Sequence, residues 1–154
     1  MPETVACRPV DPRSVAVDEL AGLFELYRIH YGQSPAPVAA RAWVGEMARS
    51  GELEFYGAYH GPRMVGFAAI HQVPASLGLG RFWQLRDLFV DPAVRRRGTA
   101  RRLVETIQQA GSDAGALRLS LQTEPDNAAA LALYRQCGFT IHADLATLSL
   151  TIAR

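Results

Sequence analysis

The sequence predicts an α/β fold in which a mixed, mostly antiparallel twisted sheet carries helices on both faces. Three observations predict it: an opening strand followed by two amphipathic helices, a central run of three apolar β-rich segments joined by tight turns, and a regular strand–helix alternation after Asp91-Pro92. At 154 residues the chain has the size of one domain, read as spanning 1–154, and it is long enough to bury a core.

Residues Val5 to Val10 form the first predicted strand. After Ser14, the spacing of Val15, Leu20, Leu23, Phe24, Leu26 and Tyr27 predicts a helix from about Val15 to Tyr31, which Gly32 and Pro35 end. A second helix is predicted over Ala39 to Arg49, with Trp43, Val44 and Met47 on its apolar face and Gly51 as its stop. Leu53 to His60, Arg63 to Val73 and Phe82 to Val90 then read as a meander, turning at Gly61-Pro62 and between Pro74 and Gly80. A helix from Gly98 to Ala110, a strand from Leu117 to Thr123, a helix from Asn127 to Cys137 and closing strands across Phe139 to Ile152 complete the pattern. This half predicts a right-handed crossover between parallel strands.

Composition excludes several classes. Hydrophobic residues are 49% and charged residues 20%, which argues against disorder, and no apolar run approaches the roughly 18 residues of a spanning helix. The opening segment lacks the apolar core of a signal peptide, so a cytoplasmic protein without membrane association is expected. Cys7 and Cys137 form neither a disulfide framework nor a CxxC pair, and His30, His60, His71 and His142 are scattered, so no metal is expected. All sixteen basic residues are arginine; the absence of lysine excludes a Walker A loop and a lysine Schiff base. With a net charge of +1 and no basic aromatic platform, nucleic acid is not an expected partner. Whether the chain forms a homodimer stays open.

Five arginines, Arg95, Arg96, Arg97, Arg101 and Arg102, crowd one predicted helix start. The helix dipole disfavours cations there by a few tenths of a kcal/mol each, a cost that a bound anion reverses. Gly98, with the small residues Thr99 and Ala100, lets a ligand approach backbone N–H groups that the helix does not use. Strand, glycine-containing loop and helix N-terminus together make a phosphate cradle. Taken without context, the same arginines read as a solvated face.

The run from Leu85 to Phe139 resembles the GCN5-related N-acetyltransferase (GNAT) superfamily. The family's R/Q-x-x-G-x-G/A loop is matched by Arg95-Arg96-Arg97-Gly98-Thr99-Ala100, and its downstream pattern by Asn127, Ala130, Tyr134 and Gly138-Phe139. The resemblance covers the later half by motif and the earlier half by the order of elements. It implies the GNAT fold, with splayed fourth and fifth strands, and acetyl-CoA as co-substrate. It also implies that the N–H groups of Arg95 through Ala100 hold the pyrophosphate, that Phe89 and Val90 lie along the pantetheine arm, and that Asn127 contacts it. Beside these roles stand simpler ones: Asn127, or its neighbour Asp126, suits a helix N-cap, Tyr134 suits the core, and Cys137 suits packing.

Acetyl transfer to an amine needs a neutral nucleophile, stabilisation of the oxyanion and a proton for the departing thiolate. The resemblance gives the Val90 N–H the second task and the Tyr134 phenol the third. Relatives acting on polyamines and diamines read Glu-Asp before the Phe-Val segment, with the glutamate as base, whereas this chain reads Arg86-Asp87. Alternation sends Asp87 to the face opposite Arg86. The base is therefore Asp87 or Glu124 acting through water, or bulk solvent. The acceptor pocket is expected from the first two helices and their connection, where Tyr27, His30, Tyr31 and Trp43 lie, together with Trp83 on the fourth strand. The segments LYRIHYGQSP and RDLFV resemble the diamine-acetyltransferase branch, so a small primary amine or amino acid is the expected acceptor. A peptide N-terminus is the alternative, and a non-catalytic acetyl-CoA-binding module is the rival of another class.

Overall fold

A computed structural model describes residues 4–95 and 97–153. The chain divides into two compact units, the first ending at Gln122 and the second beginning at Thr123.

The first unit follows the predicted order. It runs β1 (Ala6–Pro9), α1 (Ala16–His30), α2 (Pro37–Ser50), β2 (Glu54–His60), β3 (Arg63–Ala75), β4 (Gly80–Val90), α3 (Thr99–Asp113) and β5 (Leu119–Leu121). Single 3-10 turns sit at Ser76–Gly78 and Pro92–Val94. Local chemistry accounts for the helix boundaries. Asp18 and Glu19 lie in the first turn of α1 and Arg28 and His30 in its last, each at the end that the dipole favours. Pro37 opens α2, and Gly51, with φ 75°, closes it in the left-handed conformation.

The sheet order is β1-β2-β3-β4-β5. The first four strands pair antiparallel, and β5 lies parallel to β4 after the α3 crossover. On one sheet face, Phe55, Phe67, Ala69 and Phe89 pack with Val17, Leu20, Phe24, Val44 and Met47 of α1 and α2. Phe67 is wholly buried at the centre of this cluster. On the other face α3 inserts the buried Leu103, Val104 and Ile107. Trp83 belongs to that side, close enough that a Cβ at Gly111 of α3 would meet its ring at 3.5 Å.

Two irregularities of β4 shape the site. Ala69 pairs with Asp87 while Ile70 pairs with Leu85, so Arg86 is an extra, bulged residue. The bulge turns Asp87 onto the α1 face, with Phe67, Ala69 and Phe89, and leaves Arg86 exposed. Secondly, β5 pairs with β4 only from Trp83 to Leu85. Beyond that point the outer edge of β4, Arg86 to Val90, has no β5 partner, the splay expected of these strands.

The second unit contains α4 (Ala128–Gln136). The closing strands predicted across Phe139 to Ile152 are not formed: no strand occurs among the described residues after α4. The alternation of Leu148, Leu150 and Ile152 with polar residues is a strand pattern, but a strand needs a ladder partner and the described residues of the second unit include no strand. These three side chains are exposed. Strand β5 is likewise shorter than predicted.

Candidate functional site

The outer edge of β4 presents backbone groups in a defined sense. The Asp91 N–H donates to the Val65 carbonyl at 2.8 Å, so in the antiparallel ladder Phe89 and Asp91 face β3 while Leu88 and Val90 turn their N–H and C=O groups outward. The Val90 carbonyl accepts from Nε of Arg95 at 3.0 Å. That leaves the Val90 N–H outside the β3 ladder, at an edge to which an extended amide-bearing ligand can add like a strand. The Arg95 guanidinium also stands 5.4 Å from the Phe89 ring centroid.

Past the Pro92–Val94 turn the chain enters α3 through Gly98. This N-cap has φ 75°, in the left-handed region, and a Cβ placed there would meet nothing within 4 Å. The first helical bond runs from the Arg102 N–H to the Gly98 carbonyl at 3.0 Å, so the N–H groups of Thr99, Ala100 and Arg101 precede the ladder. The Thr99 hydroxyl is buried with no hydrogen-bond partner among the described residues. N–H groups ahead of the helix ladder, a buried hydroxyl without a partner among the described residues and an unobstructed glycine fit an anionic ligand such as a pyrophosphate. Of the arginines, Arg97 is exposed, Arg101 pairs with Glu105 at 2.8 Å, and Arg96 lies outside the described residues.

On the α1 face the structure gathers a second group. The Tyr27 hydroxyl donates to Oδ1 of Asp87 at 2.9 Å. The Tyr27 ring lies 5.2 Å from Tyr31 and 5.7 Å from Phe89, and His30 lies 5.2 Å from Tyr31 and 5.9 Å from Phe89. Tyr27, His30 and Tyr31 are thus brought together with Asp87 and Phe89, while Trp83 packs against α3 on the opposite face. Burial pushes the Asp87 carboxyl above its ordinary range, and the Tyr27 hydrogen bond and the Arg86 charge partly offset this.

The connection between α1 and α2 is held by a residue that sequence reasoning passed over. Glu25 accepts from the Ala36 N–H and from Nη1 of Arg28, and these bonds hold its carboxyl below the usual range. Nη1 of Arg28 also reaches the Ser34 carbonyl at 3.3 Å. The acidic residue eleven positions before Ala36, the N-cap of α2, was the available signal.

In the second unit Asn127 caps α4, its Oδ1 accepting from the Ala130 N–H at 3.2 Å. The Asn127 N–H donates to the carbonyl of Glu124, whose side chain is exposed. Tyr134 is half-buried, and its ring makes an edge contact with Phe139 at 5.6 Å.

The profile of the acetyltransferase (GNAT) family matches residues 18–139. The chain is 32% identical over 120 residues to an uncharacterized N-acetyltransferase, YhfO, of Bacillus subtilis, covering 78% of this chain and 80% of that one. It is 35% identical over 116 residues to the N-alpha-acetyltransferase RimI of Mycobacterium tuberculosis, covering 73% of this chain and 66% of RimI. Among solved structures, a probable acetyltransferase superposes with a TM-score of 0.85 at 27% identity, covering 98% of this chain and 99% of the other.

Proposed function

Since the chain belongs to the acetyltransferase (GNAT) family, and is thereby an acyltransferase, we propose that it transfers the acetyl group of acetyl-CoA to a primary amine of a small molecule of the diamine, polyamine or amino-acid type. The family profile takes in residues of both units, which supports one acetyltransferase domain over 1–154, and a cytoplasmic setting belongs to the same proposal.

The observation that carries the choice of acceptor is the Asp87 carboxylate among aromatic rings. A half-buried anion bonded to Tyr27, whose ring belongs to a cluster with Tyr31, His30 and Phe89, suits an alkylammonium, which a carboxylate pairs with and aromatic faces tolerate. Acetyl-CoA supplies an acetyl thioester. The N–H groups from Arg95 through Ala100 hold its pyrophosphate, Phe89, Val90 and Asn127 flank its pantetheine, and the Val90 N–H polarises the carbonyl. Asp87 takes the ammonium proton through a water, freeing the nitrogen lone pair to form the C–N bond. As the C–S bond breaks, its electron pair leaves on sulfur, the Tyr134 phenol supplies the proton, and the second proton of the acylated nitrogen passes through water to restore the phenol. Glu124 is the second candidate for the base.

The 35% identity to RimI favours a second reading, in which the acceptor is a peptide N-terminus. Mass-spectrometric identification of acetylated products from a mixed panel of diamines, polyamines, amino acids and short peptides tests the choice. Acetylated small amines are expected, and product from peptides alone would overturn the small-amine proposal.

A further inference from the structure

Resting on the assignment of Asp87 as the proton acceptor, we propose that Tyr27 is a positioning residue, whose hydroxyl fixes the Asp87 carboxylate toward the acceptor side of β4.

Four observations support this role. The hydroxyl donates to Oδ1 of Asp87 at 2.9 Å across sixty residues of sequence. The Tyr27 ring is in contact with Phe24 at 5.8 Å, Tyr31 at 5.2 Å, Phe67 at 5.7 Å and Phe89 at 5.7 Å, so its hydroxyl has little freedom to move. The Arg86 bulge turns the carboxylate toward that hydroxyl. Finally, packing alone does not call for the pair: burying a carboxylate in an apolar site costs stability, and an apolar residue at 87 with phenylalanine at 27 would fill the same space.

Among the described residues few charges are recorded near Asp87, and the Arg95 guanidinium, 5.4 Å from the Phe89 ring centroid, is one of them. From α1 the titratable side chains at this end of β4 are Tyr27, His30 and Tyr31, and β4 itself contributes Arg86. β3 offers Ala69 opposite, flanked by Ala68 and Ile70, and β5 contributes Leu119 to Leu121, which carry no charge. Burial raises the Asp87 carboxyl and the Tyr27 hydrogen bond lowers it. Removing the hydroxyl therefore raises it further. A proton acceptor tuned this way gives a rate that falls on the acid side of its own titration.

Tyr27→Phe tests the proposal, because it keeps the ring and its four contacts and removes the hydroxyl alone. The carboxyl carbon of Asp87, identified by the loss of its resonance in Asp87→Asn, is titrated by carbon-13 NMR in wild type and variant. The pH profile of kcat/KM is recorded for both on the best amine. Loss of one hydrogen bond to a half-buried charged group is expected to move both midpoints upward by about one pH unit. It should also lower kcat above the acid limb several-fold, with acetyl-CoA affinity unchanged. An Asp87 midpoint that does not move overturns the role of Tyr27. A midpoint that moves while the acid limb of the rate stays in place upholds the Tyr27–Asp87 coupling and overturns Asp87 as the base, so the two failures are separable.

Discussion

Replacing Gly98 by alanine and by aspartate separates backbone strain from anion binding at the start of α3. The residue has φ 75°, and a Cβ there meets nothing within 4 Å, so alanine adds strain without a clash. Holding an L-residue in the left-handed region costs roughly 1–2 kcal/mol, which for a domain of this size lowers Tm by about 2–8 °C. Aspartate tolerates this region better, and its charge at a helix N-terminus recovers about 0.3–1 kcal/mol. It should therefore be at least as stable as alanine. Acetyl-CoA binding should rank the other way: like charges about 4 Å apart repel by roughly 1 kcal/mol in water and 4 kcal/mol near a protein surface. The aspartate variant should lose at least about tenfold in acetyl-CoA affinity and the alanine variant little, as calorimetry and thermal melts on both would show. Equal affinity in the two variants would refute the placement of the pyrophosphate at Gly98.

Further outcomes follow from single residues. Gly22 lies within α1 with open space around its missing Cβ, so Gly22→Ala should raise stability by about 0.5–1 kcal/mol, read from denaturant unfolding. Glu25→Ala releases the Ala36 N–H and should speed its hydrogen exchange about tenfold while leaving β3 unaffected. Tyr134→Phe keeps the edge contact with Phe139, and if the phenol protonates the thiolate, kcat should fall at least about tenfold with acetyl-CoA affinity intact.

Much of this was legible in the sequence because periodicity and punctuation coincide. Pro37, Gly51 and Gly98 mark helix ends by backbone chemistry that a single residue dictates, and the three runs of the meander are bounded by turn residues. The proposed phosphate cradle rests on residues contiguous in the sequence, Arg95 to Ala100. What escaped is non-local. A bulge adds a residue without changing the composition of β4, so the facing of Asp87 toward α1 cannot be read from alternation, and nothing in either segment announces the bond between Tyr27 and Asp87. The alternating apolar residues after Gly138 look like strands for a good reason, but pattern supplies only a candidate edge and not its partner. Asn127 shows the converse: the cap expected from its residue type is formed, independently of any contact with coenzyme.

Asp87→Asn has two opposed effects, on stability and on rate. The folded-state carboxyl of Asp87 titrates above its ordinary value because of burial, so the folded state holds the proton more tightly than the unfolded chain. Its contribution to stability is present at low pH and is lost as pH rises through the folded-state value. Asp87→Asn keeps an acceptor for the Tyr27 hydroxyl and removes the half-buried charge. It should melt higher than wild type at pH 7 to 8, with the difference vanishing toward acid. A proton acceptor contributes about 10²- to 10⁴-fold to rate, so thiol release from acetyl-CoA with the best amine should fall by roughly a hundredfold in the same preparation. A more stable, nearly inactive Asp87→Asn is the predicted result; a variant that releases thiol at the wild-type rate and with the wild-type pH profile would contradict the account.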